Sequence, residues 1–190
     1  MVRDKPRKVH CSAEKRSTIG LIRVRSRPLE PRQGWLIAGQ RHIPCALGRS
    51  GTGINKREGD GKTPLAVMPL RRVWWRSEHQ PRPKTSLPLR QVRPGDGWCD
   101  APGDRNYNRH VQRPYPASHE TMWRDDQLYN LVVELGWNDW PRRQGCGSAI
   151  FMHVARHGFQ PTEGCVALKP NDLLWLLARL RLSTRLRVER

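Results

Sequence analysis

The segment most informative about the fold runs from Phe151 to Leu168 and reads FMHVARHGFQPTEGCVAL. Its apolar start predicts a buried strand that delivers His153 at its end. A polar loop with a glycine and a proline follows. Gly164 then predicts a tight turn that holds Cys165, because glycine adopts backbone conformations that strain other residues. The segment therefore predicts a strand, a returning loop and a turn that bring a histidine and a cysteine together.

These two side chains suggest nucleophilic catalysis. A free thiol with a pKa of about 8.5 is a weak nucleophile at neutral pH, and an adjacent imidazole activates it. We therefore expect Cys165 to be the nucleophile and His153 its general base and acid. The backbone N–H groups of Gly164 and Cys165 are candidates for an oxyanion hole. Residue types alone leave one alternative open, a small buried cysteine beside a structural imidazole.

The rest of the chain predicts a mainly β domain. Alternating or β-branched apolar residues predict strands at 22–25, 35–37, 43–47, 65–70, 73–75, 128–135, 149–153 and 184–188. The segments 35–37 and 43–47 flank residues 38–41, which predicts a hairpin. One helix is predicted, beginning at Pro170 and carrying leucines at helical spacing up to Leu180. Many short strands and a single helix indicate a sandwich or a partly closed sheet.

Composition predicts how the chain is divided. Residues 1–17 are basic and lack apolar periodicity, which predicts a flexible N-terminal arm. Residues 18–190 then form a single domain. Within it, residues 76–124 are rich in Pro, Arg and Asp and poor in apolar residues, which predicts a long irregular insertion that serves as a lid over a site.

Two separated motifs resemble those of a known family. The sequence TEGCV at 162–166, with His153 upstream, resembles the signature of the YkuD-like L,D-transpeptidase catalytic domain, in which a histidine precedes Ser/Thr-x-Gly-Cys-aliphatic. The sequence GDGKTP at 59–64 resembles the family's Gly-x-x-x-Thr-Pro strand opening. The matched stretches extend from about residue 34 to 188. Glu163 and Ala167 stand where members usually have His and Arg, which indicates a divergent member.

The resemblance implies a fold and a reaction. The fold is an L,D-transpeptidase-like β-sandwich of mixed sheets with one C-terminal helix and the long insertion. In the implied reaction of peptidoglycan biosynthesis, Cys165 forms a thioester at the L-centre of a diamino acid in a stem tetrapeptide, releases D-alanine and passes the acyl group to an amine. A backbone carbonyl such as that of Val154 orients the His153 ring. Water as acceptor would make the site an L,D-carboxypeptidase, and the sequence leaves both open.

Three residues near the motif are candidates for substrate binding. Thr162 is a candidate for a hydrogen bond across the turn or to substrate, and Glu163 for contact with an ammonium group. His157 is the third, although a solvent-facing loop histidine is the alternative reading. No cofactor and no metal is expected. A zinc site built from Cys146, His153, His157 and Cys165 is the rival reading, since these are zinc ligand types, but their spacing does not favour it.

The charge composition suggests partners. The chain has 35 Lys and Arg against 17 Asp and Glu, a net charge of +18 and a pI near 11.1. Such a surface attracts anionic polymers of the cell wall, or nucleic acid. Because no nucleic-acid-binding motif accompanies the arginines, a non-catalytic basic wall- or nucleic-acid-binding module is only the second hypothesis.

Location and assembly are less determined by the sequence. The resemblance implies a periplasmic or cell-wall-associated protein. No signal peptide is visible in the sequence, so a cytoplasmic location is the alternative expectation. No apolar run reaches the roughly 18 residues of a membrane span. The five cysteines are odd in number and widely spaced, which excludes a complete disulfide framework. The oligomeric state is not indicated.

Overall fold

The structure is a computed structural model that describes residues 18–190, so the arm predicted for residues 1–17 lies outside the described residues. In chain order the elements are β1 (Ile19–Arg27), β2 (Glu30–Ala38), β3 (Arg41–Ala46), β4 (Thr52–Gly53), β5 (Thr63–Pro64), β6 (Val67–Trp75), β7 (Leu89–Gln91), β8 (Asp96–Cys99), β9 (Arg109–Gln112), β10 (His119–Thr121), β11 (Leu131–Leu135), β12 (Phe151–Val154), a 3-10 turn (His157–Phe159), β13 (Val166–Leu168), α1 (Pro170–Leu177) and β14 (Leu180–Glu189).

A nine-stranded mixed sheet dominates the fold, in the order β11-β12-β13-β3-β2-β1-β14-β6-β7. Strand β11 also pairs with β6, so the sheet folds back on itself around the core. The prediction of a mainly β domain with mixed sheets and one C-terminal helix is confirmed. The hairpin formed by β2 and β3 was predicted, whereas the two segments predicted at 65–70 and 73–75 belong to one strand, β6.

The core follows the alternation seen in the sequence. Ile22 and Val24 of β1 are fully buried, whereas the arginines between and after them point outward. Helix α1 begins at Pro170, a residue suited to the first turn because it lacks the N–H that would have no partner there. Leu173, Leu176 and Leu177 of α1 are buried in the core. No helix of residues 18–190 has the length and apolar character needed to cross a bilayer.

The segment 76–124 is more regular than its composition predicts. Strand β7 extends the main sheet beside β6, and β8, β9 and β10 form a separate antiparallel sheet in the order β10-β8-β9. Trp98 of β8 and Met122 after β10 pack with Trp74 and Phe151 in a second apolar cluster. The few apolar residues of this small sheet, such as Trp98 and Val111, are buried. The segment therefore packs against the part of the main sheet that carries Trp74 and Phe151.

Candidate active site

The parallel pairing of β12 with β13 brings the predicted nucleophile and base to one cavity, with His153 on β12 and Cys165 directly before β13. In the pairing of β12 with β13, His153 lies opposite Ala167. Cys165 precedes Ala167 by two residues and therefore lies on the same face of the sheet, because side chains alternate along a strand. His153, Cys165 and Ala167 accordingly line one cavity.

This cavity has a volume of about 430 Å³. Cys165 and His153 line it and are only 7% and 6% exposed. Four parts of the chain contribute the walls: the loop at 56–59, the segment 76–124 with the residues that follow it, the residues before β12, and the loop before Cys165. They contribute Lys56, Glu58, Gly59, Asp100, Glu120, Arg124, Leu128, Tyr129, Ser148, Ala149, Ile150, Arg156, Gln160, Pro161, Thr162 and Glu163.

The His153 ring is held in one tautomer. Its Nδ1 lies 2.8 Å from the carbonyl oxygen of Val154. Because a carbonyl only accepts hydrogen bonds, Nδ1 carries the proton and Nε2 has the free lone pair. The ring also packs against Tyr129, with 5.4 Å between ring centroids. Burial lowers the pKa of His153 to about 4, so the imidazole is neutral at pH 7, the form a general base requires.

The Cys165 thiol is protonated at neutral pH. Burial raises its pKa to about 12, and the negative charge of Glu120 adds to this effect. The sulfur accepts a hydrogen bond from the Phe151 N–H at 3.3 Å, and the thiol donates to the Ala149 carbonyl at 3.2 Å. The resting pair is therefore a neutral thiol and a neutral imidazole rather than a thiolate–imidazolium pair.

Thr162 clamps the turn that carries the cysteine. Its hydroxyl accepts a hydrogen bond from the Gly164 N–H at 3.2 Å and donates to the Cys165 carbonyl at 2.7 Å. Gly164 has a φ of +136°, and a Cβ there would lie 2.7 Å from the carbonyl oxygen of Lys62. The Gly164 N–H is thus bonded within the turn. The turn and loop hydrogen bonds of residues 18–190 include none from the Cys165 N–H, so it is the available donor of the expected oxyanion pair.

The two sequence motifs meet in space. Thr63 is fully buried, and its hydroxyl accepts a hydrogen bond from the Gly48 N–H at 2.9 Å. Gly48 forms an isolated parallel bridge with Thr162. The Lys62 carbonyl lies against Gly164, where only a glycine leaves room for it. The GDGKTP motif therefore packs against the turn of the TEGCV motif and supports it.

The other predicted site residues differ in their placement. Glu163 lies at the rim of the cavity, exposed, and forms an ion pair with Arg49 at 2.6 Å. His157 is exposed in the 3-10 turn and borders a shallow depression outside the cavity, beside Phe159 and Lys169. Thr162 and Glu163 are thus brought to the nucleophile, and His157 is not. Among residues 18–190, no group of three or more His, Cys, Asp or Glu side chains is arranged to hold a metal ion.

Several polar residues of the cavity were not predicted. Glu120 accepts a hydrogen bond from the Tyr129 hydroxyl at 2.5 Å, and burial raises the pKa of the Glu120 carboxyl above its usual value. The Lys56 ammonium is buried against the Asp60 carboxylate and donates to the Arg57 carbonyl at 2.8 Å. Glu120, Tyr129 and Lys56 lie in stretches without a recognisable motif, although Asp60 belongs to the GDGKTP motif. Only the folding of distant segments onto the sheet brings them to the cysteine.

Comparison with known proteins gives one match. The family model described as L,D-transpeptidase catalytic domain (YkuD) matches residues 29–188, nearly the whole of the chain. No curated protein and no solved structure was found to match.

Proposed function

We propose that this chain, which belongs to the YkuD family of L,D-transpeptidase catalytic domains, is a peptidoglycan L,D-transpeptidase. In this proposal Cys165 is the nucleophile and His153 is the base. One observation carries the proposal. The thiol of the family motif, directly before β13, and a neutral imidazole on the adjacent strand β12 both line a single open cavity. The family implies peptidoglycan as substrate. We further propose that the donor is a stem tetrapeptide and that the intermediate is a thioester on Cys165.

In the acylation step, the Cys165 sulfur attacks the carbonyl carbon at the L-centre of the diamino acid. Nε2 of His153 takes the thiol proton, and the Cys165 N–H donates to the developing oxyanion. The bond to the terminal D-alanine then breaks, and His153 returns the proton to the leaving amine. A thioester and free D-alanine result.

In the transfer step, an amine attacks the thioester carbon and the C–S bond breaks. His153 accepts the proton that the amine loses and passes it to the sulfur, so the thiol is restored. Water in place of the amine gives a carboxylic acid and makes the same site a carboxypeptidase. The chemistry of the protein side is identical in both cases, so the acceptor decides the outcome.

The electrostatics of the site support activation by substrate. With a thiol pKa of about 12 and an imidazole pKa of about 4, proton transfer is unfavourable while the site is empty of substrate. The thiol proton must also leave the Ala149 carbonyl. A bound peptide whose carbonyl becomes an oxyanion supplies the compensating interaction with the Cys165 N–H. The cysteine is thereby protected from other electrophiles between turnovers.

The surface charge suggests where the enzyme works. Members of the family are usually associated with the cell wall. A net charge of +18 favours adsorption to anionic wall polymers. We therefore place the protein outside the cytoplasmic membrane, held at the wall by charge. Retention on an anionic polymer that persists at high salt would contradict this electrostatic account.

The test is incubation of the protein with tetrapeptide stems, followed by mass analysis of the products. Loss of D-alanine with dimer formation supports the transpeptidase, and loss without dimers identifies the carboxypeptidase. We expect Cys165→Ala and His153→Gln to reduce D-alanine release by about a thousandfold or more. The matched control is Cys146→Ala, a partly exposed cysteine outside the cavity, which should retain activity. Folded wild-type protein that releases no D-alanine would refute the proposal.

A further inference from the structure

The lining of the cavity includes three carboxylates, although the protein as a whole is strongly basic. They belong to Glu58, Asp100 and Glu120. The cavity also contains cations, but these already have partners. Lys56 is paired with Asp60, and Arg124 donates to Asp126 at 2.5 Å. Glu58 accepts a hydrogen bond from the Tyr107 hydroxyl, and Glu120 has only a distant ion pair with Arg124, at 3.8 Å. Within residues 18–190, Asp100 has no ion pair.

Asp100 is the least satisfied of these carboxylates. Its Oδ1 is buried and has no hydrogen-bond partner within the described part of the chain. Glu120 is bonded to the Tyr129 hydroxyl, and the nearest cationic group, that of Arg124, lies 3.8 Å away. Asp100 and Glu120 are close enough that the charge of Asp100 contributes to the raised pKa of Glu120, after the larger effect of burial. Two carboxylates so placed repel each other unless a cation joins them.

A buried hydroxyl faces the same cavity. Ser148 is 7% exposed, and its Oγ has no hydrogen-bond partner among residues 18–190. Buried polar groups in folded proteins nearly always have partners, so an orphaned hydroxyl lining a cavity is available to a water or to a ligand group there. Ser148 also precedes Ala149, whose carbonyl accepts the Cys165 thiol. Ser148 and Cys165 both line the cavity.

We infer that Asp100 and Ser148, together with Glu120, form a subsite for a primary ammonium group of the peptidoglycan substrate. An ammonium has three N–H donors and no acceptor, and the cavity lining offers a matching set of oxygen acceptors and negative charge. The inference rests on the proposed function, and it assigns to these residues the role that the sequence had suggested for Glu163. Glu163 is instead paired with Arg49 at the rim.

Two parts of the substrate carry such a group. One is the acceptor amine, which arrives as an ammonium and must lose a proton before it attacks the thioester. The other is the side-chain ammonium of the diamino acid in the donor stem. Glu120 is near enough to Cys165 for its charge to raise the pKa of the thiol, so either group would lie close to the reacting carbon.

The binding test uses the Cys165→Ala protein, which cannot turn over. By calorimetry, we compare the affinities of two stem tetrapeptides, one whose side-chain amine is free and one in which that amine is acetylated. The free amine should bind about tenfold more tightly, since it forms charge-assisted hydrogen bonds. Adding Asp100→Asn or Ser148→Ala should reduce that preference, whereas Asp125→Asn, an exposed carboxylate outside the cavity, should preserve it. Circular dichroism establishes that each variant is folded.

Equal binding of the two peptides would overturn the inference, and so would a preference that survives both substitutions. Turnover with Cys165 intact then identifies the source. Asp100→Asn that lowers dimer formation about tenfold, while D-alanine release in a single turnover is unchanged, assigns the subsite to the acceptor. A KM for D-alanine release raised only for the free-amine donor assigns it to the donor. No D-alanine release with the binding preference intact would refute the proposed function while the subsite stands.

Discussion

Replacing Thr162 by valine removes a hydroxyl that two buried backbone groups use. The Gly164 N–H and the Cys165 carbonyl bond to it at 3.2 and 2.7 Å. Valine preserves the volume but leaves both groups without a partner, and each such loss costs roughly 1–3 kcal/mol. We expect the free energy of unfolding to fall by about 3 kcal/mol, which lowers the Tm by about 6–12 °C for a domain of this size.

The assay is urea-induced unfolding followed by tryptophan fluorescence, with Thr162→Ser as the matched control. Serine keeps the hydroxyl and loses one methyl group, so its free energy of unfolding should stay within about 1 kcal/mol of the wild type. The rate of D-alanine release from tetrapeptide stems should fall in Thr162→Val, because the turn that positions the sulfur loosens. A Thr162→Val protein as stable as Thr162→Ser would refute the clamp.

Two further substitutions test the electrostatics and the backbone of the site. Because burial lowers the pKa of His153 from 6.5 to about 4, the unfolded chain binds a proton that the folded protein excludes, and stability is lost as pH falls through this window. Between pH 7 and 4.5, the free energy of unfolding, measured by denaturant titration, should fall by roughly 2–3 kcal/mol less in His153→Gln than in the wild type. Equal decreases in the two proteins would contradict this explanation. Gly164→Ala should destabilise by about 1–3 kcal/mol and slow acylation of Cys165, since its Cβ would meet the Lys62 carbonyl at 2.7 Å. Gly20→Ala, whose Cβ meets no atom within 4 Å, should be neutral by the same assays.

Local patterns in the sequence were enough for most of the fold. The alternation at Ile22 and Val24 and the hairpin of β2 and β3 were predicted because a strand with one buried face has a period of two residues. Helix α1 was predicted from leucines at helical spacing behind Pro170. The small sheet within 76–124 was not predicted, because its strands are short and polar and depend on backbone pairing and on contacts with Trp74 and Phe151.

The sequence by itself determined the family, the strand that carries His153 and the turn that carries Cys165, since these depend on neighbouring residues. Tertiary structure alone decided their environment. Burial keeps the thiol and the imidazole neutral. The Thr162 hydroxyl is hydrogen-bonded inside the turn, and His157 lies outside the cavity. Tertiary structure also brought Asp100 and Ser148 to the same cavity. Burial, and the proximity of residues distant along the chain, depend on how strands pair across the whole domain, and no local pattern encodes that pairing.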